Sequence, residues 1–447
     1  MGRNAELKLG VFLIQAGFHE AAWRDPSVPA SGGVDVDHYA RLAALAEGAA
    51  FHFVFLADSP SVLERDHEHI ARVSRNDGFE PITLLSALSS RTRDIGLAGT
   101  ATTTYNQPYH IARMFASLDH LSRGRAAWNI VTSGLKFEAP NFGHKELPDH
   151  DTRYARAREF VEVVKGLWDS WEDDAFIREK QSGIFADTKK LHLLNHRGDH
   201  LSVRGPLNIA RPPQGYPVLA QAGASDTGIG FAAEVGEVVF TAAPSLESGK
   251  RYYATVKAKA RALGREDDQV LVMPGIIPIV GKTKEEASEK LRKLHSYMHF
   301  DVQIGLAERM LGFVTDLRSI NLDSLVPETL PRTNTTQSSQ ALLLDLAARQ
   351  KLTWRQLIRL VSDSKGQLMV VGTPDEIART MVDTFDQRAA DGFIVLPAIV
   401  PNGLKDFVDL VVPELRRLGK FRSRYSGQTL RENLGLNRPL NRFMGNA

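Results

Sequence analysis

Residues Arg125–Trp171 read RAAWNIVTSGLKFEAPNFGHKELPDHDTRYARAREFVEVVKGLWDSW. An apolar strand, Ala126–Ser133, ends in the hydroxyls of Thr132 and Ser133. A loop broken by glycine and proline follows. His150, Asp151, Arg153 and Tyr154 then open an amphipathic helix over Asp149–Trp171. A strand that is apolar on both faces and leads into a helix is the repeating unit of a parallel sheet covered by helices. Hydroxyls at a strand end, facing polar groups at a helix start, are what a phosphorylated ligand needs.

The same unit repeats in both directions. Upstream, Leu7–Gln15, Phe51–Asp58 and Ile95–Thr104 read as strands. Asp35–Gly48 has helical spacing, with Leu42, Leu45 and Ala49 on one face. Glu80–Ser90 and Pro108–Leu121 are also helical, and Gly124 closes the latter. Downstream, Glu172–Pro213 is irregular, rich in Gly, His and Pro. Strands then resume at Pro217–Gly223, Val238–Ala243, Val270–Val280 and Gly392–Ala398. Helical stretches lie at Ser225–Val235, Leu246–Leu263, Glu285–Ser296 and Leu404–Leu418. Eight strand–helix units predict an α/β fold, a TIM-like (β/α)8 barrel with insertions. A doubly wound sheet fits the same periodicity. The whole chain, 1–447, reads as one domain. Phe300–Gly366 interrupts the pattern between the seventh and eighth units and carries the polar run RTNTTQSSQ, Arg332–Gln340. It reads as an insertion suited to cover a site. The tail, Phe421–Ala447, has little periodicity and is expected to wrap the surface or a partner subunit.

Composition narrows the function. A chain of 447 residues, 43% apolar and 24% charged, has the make-up of a globular protein. A net charge of +2 gives no field directed at nucleic acid or membrane. The absence of cysteine excludes disulfides, thiolate metal sites and cysteine nucleophiles. No secretory or membrane-spanning stretch is read, so a cytoplasmic protein is expected.

Active sites of barrels sit at the C-terminal rim of the strands. Asp58 ends the second strand, Thr102 and Thr104 the third, Thr132 and Ser133 the fourth, and Ser225 follows the fifth. Each residue type also caps helices and turns. Their coincidence on one rim favours a site. QAGASDTGIG, Gln221–Gly230, is a glycine-rich turn into a helix, where backbone N–H groups suit a phosphate as well as a plain cap. His150 and Tyr154, four apart, share a helical face. Phe12, Trp23, Phe55 and Trp128 stand near the rim; core packing is the ordinary role for each. Arg24, Arg72, Arg75 and Arg332 could meet an anionic substrate, though solvated charge is their ordinary role.

Several motifs fail. Gly281-Lys282-Thr283 lacks the first glycine of a phosphate loop, and His67-Glu68-His69 falls short of HExxH. His192, His196 and His200 have the i, i+4, i+8 spacing that on a helix could bind metal, but Gly198 and the β-like LSV favour a hairpin or loop there. No metal site, glycosidase carboxylate pair or GxSxG emerges.

RAAWNIVTS, NFG, HDTRYARAREFVEVVKGLWDSWEDDA, FADTKKLH, VRGPLNIARPPQGYPVLAQAGAS, DGFIVLPA, DFVDLVVPEL and LRENLGLNRP resemble one subgroup of proteins. These are the bacterial-luciferase-like flavin monooxygenases related to nitrilotriacetate, dibenzothiophene-sulfone and long-chain alkane monooxygenases. The resemblance runs from Ala22 to Pro439, and only Phe300–Gly366 matches poorly. It implies a barrel using reduced FMN from a separate NAD(P)H-dependent flavin reductase. It also implies O2 as co-substrate, a flavin hydroperoxide that oxygenates a small organic substrate, C–N or C–S cleavage, and a homodimer or homotetramer. By resemblance, flavin contacts fall on Asp58, Thr102, Thr104, Thr132, Ser133, His150, Tyr154, Ala224 and Ser225. Tyr154 and Ser225 would hold the phosphate. No general base is assigned, and His150 reads as flavin-binding before catalytic. One departure stands out: alkane enzymes carry a histidine just after the VTS strand end, where this chain has Gly134. A deazaflavin-dependent oxidoreductase on the same barrel, or a non-catalytic flavin-binding protein, is the alternative.

Overall fold

The computed structural model describes residues 5–62 and 67–444. The segments 1–4, 63–66 and 445–447, and the Glu68 side chain of the His67-Glu68-His69 run, lie outside the described residues. The strands are β1 Lys8–Phe12, β2 Phe53–Leu56, β3 Gly96–Thr102, β4 Ala126–Val131, β5 Val218–Gln221, β6 Val238–Thr241, β7 Leu271–Val280, β8 Leu368–Gly372 and β9 Gly392–Val395. All of these except β8 pair in parallel and in chain order, and β9 closes on β1 from Lys8–Gly392 to Val11–Val395. The sheet is therefore a closed eight-stranded barrel, which rules out the open doubly wound alternative.

Alternation along each strand explains the closure. In β4, Ala127 turns inward to join Phe53, Phe55, Ala98 and Val218 in the barrel interior. Trp128 turns outward, 5.8 Å from Phe115, 6.0 Å from Phe160 and 6.4 Å from Trp168. It packs the sheet against helices Pro108–Leu121 and His150–Trp168 and takes no part in the rim. Both faces being buried is why these strands read as continuous apolar runs; every residue of β7 is buried. Helices begin behind capping side chains: Asp35, Asp149, Ser225, Ser245 and Thr283 each accept a backbone N–H of the following turn.

One strand escaped sequence reading. β8, LMVVG, lies beside the second half of β7, from Leu368–Ile276 to Gly372–Val280. Five residues, four of them partly exposed, carry too little periodicity to announce a strand. The insertion before it, Phe300–Gly366, contains helices Phe300–Met310, Gln337–Gln350 and Trp354–Ser364. They close on their own small core, which includes Leu306, Leu311, Leu343 and Leu357. Farther back, His196–Arg197 and Ser202–Val203 form a two-stranded antiparallel hairpin. His192 and His196 there bind Glu172 and Glu159 at 2.8 and 2.9 Å.

Within the tail, the short helix Leu430–Leu434 stops the N-terminal end of the barrel, while Arg438 and Phe443 lie along the surface against Asp173 and His192. Leu430 packs so closely on Gly96 that a Cβ there would stand 2.5 Å from it. The Arg431 guanidinium, 2% exposed, binds Glu237 at the start of β6. Among the described residues no helix is long and apolar enough to cross a membrane.

Candidate active site

Stopped at its lower end, the barrel opens at the C-terminal rim. A cavity of about 310 Å³ lies there, on the side of β2 to β5. Asp58, Thr102, Thr132, Ser133, His150, Tyr154 and Ser225 all line it. Two further residues named from sequence do not. Thr104 turns its hydroxyl onto the Thr132 carbonyl at 2.7 Å and supports the strand end from behind. Ala224 lines a neighbouring cavity.

Strand ends and helix starts position these groups. Thr102 Oγ1 and Ser133 Oγ are 2.8 Å apart, tying β3 to β4. Ser133 sits at φ +53°, a left-handed conformation that a serine holds only where its surroundings require it. Asp149 caps helix His150–Trp168 through the N–H groups of Asp151 and Thr152, so His150 and Tyr154 turn toward the cavity. Their ring centroids are 4.8 Å apart. His150 Nε2 lies 3.4 Å from Ser225 Oγ, which itself caps the next helix by accepting from Gly228 N at 3.0 Å. A Cβ on Gly228 would meet Tyr154 OH at 2.9 Å and Ser225 Oγ at 3.0 Å. Glycine at that position leaves room for the two hydroxyls at the helix N-terminus.

Sequence reading missed part of the site. Glu138, 3% exposed, comes from the loop after β4 and accepts from Ser59 Oγ at 3.1 Å. Its Oε2 is buried without a partner. Burial raises its carboxyl above the ordinary range, the nearby Asp58 charge adds to this, and bonds from Ser133 and Ser59 oppose it. Asp58 is raised too, by the protein around it and then by Glu80. Arg153, 2% exposed, lines the same cavity with Nε unpartnered, and burial lowers its pKa. Thr335, Thr336, Gln337, Ser338 and Ser339 complete the lining from the insertion. Arg153 fastens that segment by donating to the Asn334 carbonyl at 3.0 Å. Gly134 faces it across 3.7 Å, measured from an added Cβ to the Thr335 carbonyl. The 335–339 run belongs to the polar stretch Arg332–Gln340 of the insertion read as a cover, whereas no local pattern marks Glu138, which only the fold brings to the same cavity.

Residues 12–392 match the family described as luciferase-like monooxygenase. The chain belongs to the luciferase-like monooxygenases. It is 45% identical over 99% of both chains to an N-acetyl-S-(2-succino)cysteine monooxygenase of Bacillus subtilis (strain 168). It is 43% identical, again over 99% of both, to nitrilotriacetate monooxygenase component A of Aminobacter aminovorans. Among solved structures, a riboflavin lyase with modified FMN and riboflavin superposes at a TM-score of 0.88, with 32% identity and 97% of each chain covered. This luciferase-like chain is thus a flavin-dependent monooxygenase on a TIM barrel.

The donor set suits a flavin mononucleotide. Two hydroxyls, a glycine-lined space and a helix N-terminus fit a phosphate. Hydroxyl and amide groups fit a polyol chain, and Asn129 Oδ1 and Gln221 Oε1 are buried without partners beside Thr100 and the cavity. A second cavity of about 460 Å³ shares Ala222, Ser338 and Ser339 with the first and extends over β5 and β6 to Phe240, Lys365 and Gln367.

Proposed function

We propose that this monooxygenase is the oxygenating half of a two-component system. It takes reduced FMN from a separate NAD(P)H-dependent reductase and oxygenates a small organic substrate next to nitrogen or sulfur, breaking a C–N or C–S bond. The Tyr154–Ser225–Gly228 cradle carries the reading: it offers a phosphate two hydroxyls and a helix N-terminus, at one end of a cavity lined by polar strand ends. The substrate bond is supported by the relatives, one named for nitrilotriacetate and one for a sulfur-substituted cysteine.

Bound reduced FMN supplies the two electrons that activate O2, so that one oxygen atom enters the substrate and the other leaves as water. The chain does the rest. Tyr154 and Ser225 hold the phosphate. Thr102, Thr132 and Ser133 fix the polyol and ring from the strand ends. Thr335–Ser339 shield the cavity from water, which protects activated oxygen from unproductive release as peroxide. Glu138 Oε2, buried and unpartnered, is the place in the cavity where a proton can be held.

Anaerobic titration with reduced FMN tests the assignment. The double variant Tyr154→Phe, Ser225→Ala is expected to lose affinity by roughly 100-fold, for two charge-assisted hydrogen bonds of about 1.5 kcal/mol each. Unchanged affinity would sink it. O2 uptake on mixing with reduced FMN separates this reading from hydride transfer with a deazaflavin.

A further inference from the structure

The far side of the barrel mouth holds charge. Glu20, in the loop after β1, is 3% exposed in its side chain and meets three cations from three other segments. Arg75 Nε, from the loop after β2, lies 3.0 and 2.9 Å from its two oxygens. Lys365 Nζ, at the end of helix Trp354–Ser364, lies 2.9 Å away. Arg309 Nη2, from helix Phe300–Met310, lies 3.9 Å away. The charges acting on Arg309 are those of Glu20 and Arg75. With Lys365 protonated, one carboxylate against three cations leaves an excess of two positive charges.

That excess sits in poor solvent. The cation side chains are 25%, 12% and 21% exposed for Arg75, Lys365 and Arg309. Lys365 Nζ stands 4.0 Å over the Phe18 ring and donates to the Phe18 carbonyl at 2.8 Å. Phe18 begins an aromatic floor that continues through Phe12 at 6.2 Å, Phe55 at 5.2 Å and Phe240 at 6.3 Å. Phe240 and Lys365 both border the 460 Å³ cavity, where Gln367 Oε1 is buried without a partner. Holding like charges together away from water is costly unless an anion joins them. Arg75 already holds one carboxylate, its Nε within hydrogen-bond distance of both Glu20 oxygens while its Nη2 donates to the Phe18 carbonyl.

We propose that this cationic half is the substrate site, and that it selects substrates bearing a carboxylate, which enters beside Lys365 and Arg309 while the rest of the molecule lies on the Phe12–Phe240 floor. The proposal rests on the flavin monooxygenase reading, which places the flavin in the adjoining cavity.

The probes are 2-(ethylthio)succinate, its dimethyl ester and 2-(ethylthio)ethanesulfonate, with binding read by calorimetry on the full chain. The diacid is expected to bind at least tenfold more tightly than the ester. Arg309→Met and Lys365→Met are each expected to weaken the diacid tenfold or more and leave the ester unchanged. A diacid no tighter than its ester overturns the proposal, even if the variants do not fold. Diacid binding that survives in both folded variants also overturns it, and a sulfonate as tight as the diacid overturns the carboxylate assignment. Reduced-FMN titration of the same preparations is read separately, so that failure of the flavin reading is distinguished from failure of this one.

Discussion

The two halves of the barrel mouth are built differently. On the side of β2 to β5, Asp58, Thr102, Thr132, Ser133 and Ser225 are neutral or singly charged groups placed by strand ends and helix caps. Across the mouth, Glu20, Arg75, Arg309 and Lys365 gather charge from two rim loops and two insertion helices. The strand-end and cap groups of the first half are placed by short-range geometry, and the insertion adds only the lining from Thr335–Ser339. The second depends on the insertion docking correctly, since Arg309 and Lys365 have no other route to Glu20. A site for a common cofactor can thus stay with the barrel while substrate choice moves with the inserted helices.

The comparison predicts independent failures. Glu20→Gln should be the most damaging, costing about 3–5 kcal/mol of folding stability, because three half-buried cations lose their shared partner. Urea unfolding checks this, and reduced-FMN affinity should stay within about twofold, since a bond in one half adds nothing to the other. Equal loss of both would show that the halves are one unit.

Next comes a pH effect confined to the cationic half. Burial, then Arg75, pulls Lys365 down to about 7. It faces Glu20, Arg75 and Arg309, with His19 nearby pushed down to about 4 by burial and so neutral in this range. Affinity for 2-(ethylthio)succinate should therefore hold below pH 7 and fall as pH rises through 7, while Lys365→Met shows no such step.

Glu138→Gln probes the hydroxyl half. Because burial raises the folded-state pKa of Glu138, its contribution to stability is present below the ordinary value of 4.5 and lost as pH rises through the folded value. The variant lacks that loss. It should be more stable than the parent at neutral pH, with the gap closing toward pH 4, as thermal unfolding across pH would show. The smallest effect is expected at Gly134→Ala, whose Cβ would rest in ordinary contact 3.7 Å from the Thr335 carbonyl. A change within about 0.5 kcal/mol in unfolding is expected, as for a substitution that disturbs no special feature.

Legibility followed the range of the interactions. Ala126–Ser133 and Asp149–Trp171 announced a strand and a helix because each is periodic over its own length, and the observed bounds, Ala126–Val131 and His150–Trp168, fall inside them. Thr132, Ser133, His150, Tyr154 and Ser225 could be named because strand ends and helix starts of a barrel share one rim. Thr104 shows the limit: the strand ends at Thr102, so Thr104 lies in the turn beyond it, where alternation no longer keeps it on the face that Thr102 presents to the cavity. Glu138 was unreadable as a site residue, since an acid in a loop looks solvated; Arg153 was legible as a polar group of the helix start, but its grip on Asn334 exists only once the insertion lies across it.

By itself, then, the sequence determined the repeating strand–helix unit, the rim on which the site lies and the family to which the chain belongs. These follow from periodicity and short motifs, which local chemistry sets. Tertiary structure alone decided that Leu430 stops the barrel, that Thr335–Ser339 wall the cavity and that three cations meet at Glu20. Those contacts join residues far apart in the chain, and burying unlike segments together is a property of the packed fold that no window of sequence contains.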